Sequence, residues 1–181
     1  MNKWLKIGLI IVLIVIIIVI MFYLLRKQEK PIEEYTPEEE ISQEELRKTI
    51  VTLYFQNKET KQLQAEPRLI DSKELLKEPY KKLLVLLIEG PKNDLLEGTI
   101  PKDTKINSIQ LDKDTLIIDL SEEFIKLDLE KTQEANAIYS IVNTLTELKE
   151  VTSIKILIDG EENKKIENGN ISFNNEFVRV N

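Results

Sequence analysis

Between Ile7 and Leu25 the chain reads IGLIIVLIVIIIVIMFYLL, without one charged residue. At the helical rise this run is about 28 Å long, close to the hydrocarbon thickness of a bilayer. A lone segment in lipid must satisfy its own backbone hydrogen bonds, so the run is predicted to be a transmembrane helix. Trp4 and Tyr23 sit where interfacial aromatics belong, with Lys3 and Lys6 before the run and Arg26 and Lys27 after it. A cleaved signal peptide has a shorter apolar core and a small-residue cleavage site, and neither is visible after Tyr23. No cysteine follows the run to take a lipid. The segment is read as an uncleaved signal anchor, with residues 1–6 as a cytoplasmic N-terminus. The flanking positive charges are nearly balanced and do not orient it.

Four of the 25 basic side chains and none of the 32 acidic ones precede Gln28, so the remainder carries a net charge of −11. That balance argues against nucleic acid and anionic lipid as partners, because neutralising phosphates requires clustered Lys and Arg. The chain has no histidine and no cysteine. Ser-His-Asp and Cys-His nucleophiles, His-ligated zinc and disulfide redox chemistry are therefore excluded.

Residues 26–48 contain two prolines and eight glutamates and read as an acidic linker. Within it Thr36, Pro37 and Glu39 fit a helix start, which leaves only Ile41 and Leu46 to bury. Residues 49–181 are long enough for one domain with one core. IVTLYF after Thr49 alternates as a strand, and Glu66 to Ile70 returns as a short one. A helix starts at Glu74 or Pro79 and stops at Gly90-Pro91. Its six apolar residues from Leu83 to Ile88 are either covered on more than one side or include a partner-binding face. Thr104 to Gln110 and Thr115 to Leu120 form a hairpin, a second helix spans Thr132 to Leu148, and Ser153 to Ile158 is a strand ending at Asp159-Gly160. Ile171 to Val180 supplies a last edge element. The expected class is α+β, with two helices packed on one mixed β-sheet.

Chemistry-bearing motifs are few. Asp119-Leu120-Ser121 is more simply a turn or helix cap than a carboxylate–hydroxyl site. Asp159-Gly160-Glu161-Glu162 lacks the ligand spacing of a calcium loop and reads as a solvated turn. No Gly-rich phosphate cradle occurs among the five glycines. No paired carboxylates are marked by apolar surroundings that would raise one pKa. No catalytic, metal or cofactor residue is therefore assigned. On the second helix, Asn136, Ser140, Asn143 and Glu147 share one face, away from the stripe of Ala135, Ile138, Ile141, Val142, Leu145 and Leu148. That face is either an ordinary solvated one or a hydrogen-bonding surface for another protein.

LYF at Leu53 to Phe55, LLVLLIEGP at Leu83 to Pro91, IPKDTKI at Ile100 to Ile106, IIDLSEEF at Ile117 to Phe124, IYSIVNTLTEL at Ile138 to Leu148 and ILIDG at Ile156 to Gly160 together resemble the GerMN domain of sporulation and spore germination proteins. The resemblance runs from Ile50 to Asn181. It implies a fold similar to the ring-building domains of secretion machinery and a non-enzymatic assembly role outside the cytoplasm. Envelope or sporulation-complex proteins, and other copies of the chain, are the partners it implies. It carries over no catalytic residue. The alternative function class is a module binding a wall polymer or small ligand, or a carboxylate-based hydrolase acting on such a polymer.

Overall fold

The computed structural model describes residues 2–26, 47–126, 131–167 and 169–179. The helix start expected at Thr36 lies outside the described residues. The chain divides into an N-terminal unit, residues 1–41, and a unit holding the rest.

In the first unit a single helix, α1 (Lys3–Arg26), spans 24 residues. Its stretch from Ile7 to Arg26 is long and apolar enough to cross a membrane. The side chains from Ile7 to Leu25 are exposed within the structure.

The second unit is α+β. Its elements in order are β1 (Lys48–Asn57), β2 (Leu63–Asp71), α2 (Ser72–Lys77), α3 (Pro79–Glu89), β3 (Leu96–Glu97), β4 (Ile106–Asp112), β5 (Thr115–Leu120), α4 (Lys131–Leu145), β6 (Ser153–Ile158) and β7 (Phe177–Val178). A short 3-10 turn over Glu122–Ile125 precedes α4. The strands, expected in one mixed sheet, divide into two: β2-β1-β3 and β4-β5-β6-β7. Alternation decides which face of a strand is buried, but it does not decide which strand lies alongside.

The antiparallel β1–β2 hairpin keeps register from Lys48↔Asp71 to Gln56↔Leu63. Asn57 Oδ1 closes its loop by accepting from the amides of Glu59 at 2.9 Å and Thr60 at 3.0 Å. This is the local turn chemistry that favours Asn at such corners. Pro67 sits in β2, an outer strand, where a missing N–H costs no ladder bond if it faces outward.

The single helix expected to start at Glu74 or Pro79 is two helices, one starting earlier at Ser72 and the other at Pro79. Asp71 caps α2 by accepting from Lys73 N at 2.8 Å. Pro79 then drives Glu78 out of helical backbone (φ −144°, ψ 69°), and α3 restarts with the proline at its first turn. Gly90, at φ 94°, ends α3 in a backbone region closed to most side chains. In the apolar run of α3, Leu83, Leu84, Leu86 and Leu87 are buried, while Val85 and Ile88 are half-buried.

β5 and β6 run parallel, in register from Thr115↔Ser153 to Leu120↔Ile158. A parallel pair needs a crossover connection, and α4 lies within it. Leu116, Ile118 and Leu120 of β5 and Ile154, Ile156 and Ile158 of β6 point to one core with Leu53 and Phe55 of β1 and Ile138, Ile141, Val142 and Leu145 of α4. Phe124 and Phe173 close one end, ring centroids 6.2 Å apart.

The chain after β6 is held by a buried carboxylate. Glu134, in the first turn of α4, accepts from the amides of Asn170 at 3.0 Å and Ile171 at 2.7 Å. This seat exists because residue 169 is glycine: a Cβ there would overlap the Glu134 carboxylate and stand 2.9 Å from the Ile166 carbonyl oxygen. Gly169→Ala is expected to lower stability by about 1–3 kcal/mol, the usual scale of an overpacked site. Urea unfolding of the two proteins measures it, and an unchanged midpoint would show that the segment shifts freely.

Candidate functional site

Most of the polar stripe of α4 is turned inward. It lies against β1 and the segment around β3, and Asn136, Ser140 and Glu147 each bond to a group from a distant part of the chain. Asn136 Nδ2 donates to Gln56 Oε1 and to the Lys61 carbonyl, the latter at 2.8 Å. Gln56, itself buried, donates to Glu97 Oε1 at 2.6 Å, and Lys61 pairs with the same oxygen at 3.0 Å. The bonds from Lys61 and Gln56 hold the Glu97 carboxyl below its ordinary range.

One turn along, Ser140 is fully buried, which corrects its expected place on an outward face. Its hydroxyl accepts from Thr99 Oγ1 at 2.7 Å and donates to the Ala137 carbonyl at 2.9 Å. Asn143 is half-buried, and its Oδ1 is shut off from solvent without a hydrogen-bond partner among the described residues. Thr144, which the sequence did not single out, accepts the amide of Tyr54 at 3.1 Å. β3 pairs with β1 only at Gln56 and Asn57, so a helix side chain takes a donor that no strand reaches.

Only the far end of the stripe opens to solvent. Glu147 Oε1 accepts from Tyr54 Oη at 2.9 Å and pairs with Arg179 at 2.7 Å. Arg179 also donates to the Tyr54 hydroxyl, with its guanidinium 5.3 Å from the ring centroid. Burial pushes the Glu147 carboxyl up, but the bonds from Arg179 and Tyr54 outweigh it and hold the group below its ordinary value. Burial and the same carboxylate push the Tyr54 phenol up.

A second charged cluster went unread in the sequence. Glu66 and Arg68, two residues apart on the inward side of β2, form a buried ion pair. The Glu66 carboxylate also accepts from the amides of Lys92 and Asn93, both at 3.0 Å, and Arg68 donates to the Gly90 carbonyl at 3.2 Å. Burial alone raises the Glu66 carboxyl; Arg68 and the two amides bring it below the usual range. The pair pins the loop that leaves α3. Its signal was the spacing of Glu66 and Arg68 across Pro67, which puts both on one strand face.

The remaining motifs are structural. Ser121 Oγ accepts from Lys105 N at 2.9 Å. Asp119 Oδ1 accepts from Gly160 N at 2.9 Å and fastens the Asp159-Gly160 turn, where both residues have positive φ. Glu161 and Glu162 pair with Lys164 and Lys155.

Two substitutions probe the stripe. Ser140→Lys would bury an unpaired ammonium and is expected to abolish cooperative unfolding, while Ser140→Ala loses about 1 kcal/mol by thermal melt. Glu147 has its native pKa below its unfolded one, so its contribution is present above the ordinary value of 4.5 and is lost as pH falls through the depressed one. Against Glu147→Gln the stability difference is expected to stay under about 1 kcal/mol, since the group is about one-third exposed and screened. Denaturant titrations should show that difference constant at neutral pH and vanishing in acid; a difference that grows in acid would reverse the assignment.

Comparison with known proteins agrees with this architecture. A family model described as "Germane: Sporulation and spore germination" matches residues 52–164. The first GerMN domain of the sporulation protein GerM from Bacillus subtilis superposes with a TM-score of 0.58 at 25% identity, over 68% of this chain and 92% of that one. A Clostridium perfringens protein described as a lipoprotein gives a TM-score of 0.50 at 26% identity, over 74% and 89%. The tandem GerMN domains of Bacillus subtilis GerM share the fold, with a TM-score of 0.53 at 22% identity, over 65% of this chain and 41% of that one. A search of curated proteins finds no match. With more than half of its length matched by the family model, the chain belongs to the Germane family of sporulation and spore germination.

Proposed function

We propose that the protein is a membrane-anchored adaptor of the cell envelope, working outside the cytoplasm in sporulation or germination through contacts with other envelope proteins. Copies of the same chain are among the partners. The observation that carries this reading is what the domain does with its buried charges. Among the described residues these are Glu66, Arg68 and Glu134, and each holds a main-chain segment in place. Such groups are a scaffold's fastenings, whereas acid–base catalysis needs a titratable side chain aimed at an open cleft.

α1 supports the anchoring, having the length and composition to cross a bilayer. The description of the Clostridium perfringens relative as a lipoprotein supports an envelope setting. Of the α4 stripe, the exposed Glu147 with Tyr54 and Arg179 is the part we assign to partner contact.

Two measurements test this. Protease added to intact protoplasts is expected to digest the domain; digestion only after the cytoplasmic side is opened would overturn the placement. A photo-crosslinking residue at the exposed Lys149, two positions beyond Glu147, is expected to trap a discrete envelope protein in sporulating cells. Adducts confined to cytoplasmic proteins would overturn the adaptor reading.

A further inference from the structure

The outer side of α3 and the free edge of the larger sheet enclose a groove that none of the contacts above uses. Two adjoining cavities, of about 370 and 510 Å³, share Lys81 and Ile106 along it. Its apolar lining comes from Val85 and Ile88 of α3 and from Ile106 and Ile109 of β4. These are the two half-buried members of the α3 apolar run, with the half-buried residues of β4 opposite them.

Three observations say what fits there. First, β4 is an outer strand of its sheet, with no strand beyond it among the described residues. Asp112 and Thr115 flank a two-residue turn and pair directly, so alternation along the ladder turns the N–H and C=O of Ile109 and Leu111 away from β5. Second, Thr104 lines the groove, is 6% exposed, and its hydroxyl has no hydrogen-bond partner among the described residues. Third, the groove is basic in a domain that is strongly acidic. Lys77, Lys81, Lys102 and Lys105 line it, and of these only Lys81 is engaged in an ion pair among the described residues, with Glu78 at 3.4 Å. Glu78 and Glu89 are the acidic residues that line it.

From these we infer that the groove between α3 and β4 binds an extended, acidic peptide segment of a partner protein, which adds a strand to β4 and sets its carboxylates among the lysines. Backbone bonds to Ile109 and Leu111 give the segment its direction, alternate apolar side chains enter between Val85, Ile88 and Ile106, and a polar group meets Thr104. An anionic membrane surface would use the lysines but not the unpaired strand edge or the recessed apolar lining. The inference rests on the adaptor reading only in taking the partner to be a protein.

The test uses the full chain in nanodiscs of neutral lipid and a fluorescent peptide of alternating valine and glutamate. Binding by fluorescence anisotropy is expected, weakened about tenfold or more by Lys102→Glu with Lys105→Glu. Both side chains are exposed, and an unchanged thermal melt confirms that the variant is folded. Amide exchange at Ile109 and Leu111 is expected to slow on binding. A peptide N-methylated on the face that pairs with β4, and one with lysine in place of glutamate, are expected not to bind. Absence of binding, equal binding of the N-methylated peptide, indifference to the lysine reversals, or retention by phosphatidylglycerol vesicles in preference to the peptide would each overturn the inference. Because this assay is made in isolation, its failure leaves the cellular crosslinking result, and with it the adaptor reading, to stand or fall separately.

Discussion

The domain depends on α4 packing against two sheets at once. Its apolar side closes the core over β5 and β6, whose parallel pairing requires a crossover connection. Its opposite side lies along β1, where Thr144 takes the Tyr54 amide and Asn136 takes Gln56. Remove that second set of contacts and β1 becomes a strand with unsatisfied donors beside an apolar interior, a costly arrangement in itself and an invitation to mispairing. The helix thus does for the smaller sheet what a further strand would otherwise do.

A polar seam of this kind contributes to uniqueness more than to strength. Each buried hydrogen bond is worth about 1 kcal/mol net, yet leaving one partner unmatched costs more than the bond contributes. The Asn136, Ser140 and Thr144 contacts therefore discriminate against a helix rotated or slid by one turn, because a slide exchanges matched pairs for unmatched ones. Glu66 with Arg68, and Glu134 with the amides of Asn170 and Ile171, act likewise on loops. In each case a side chain on a regular element fixes the path of an irregular one.

Much of this was legible in the sequence. Apolar alternation placed β1, β5 and β6 closely, and the Pro79 and Gly90 signals bounded α3. The partition of strands between sheets was not legible, since Leu53 and Leu116 obey the same period whatever strand lies beside them. The α4 stripe was seen as a stripe, but its direction was misread. Asn136, Ser140 and Asn143 look alike in sequence whether they meet water or another part of the chain, and the Gln56 that Asn136 meets lies eighty positions earlier. The contacts of Glu147 with Tyr54 and Arg179 join the two ends of the domain and have no local signature at all.

Charged contacts, buried and half-exposed, also bear on how the domain responds to acidity. Glu66, Glu97 and Glu147 are held low, and Tyr54 and Tyr80 are pushed high, by their surroundings. Every one of these groups moves away from neutrality, in a chain that has no histidine to occupy the gap. The consequence is a proton inventory that these groups leave unchanged across the physiological range. A change of acidity around neutrality therefore leaves the Glu66, Glu97 and Glu147 carboxylates ionised and the fastenings they make intact.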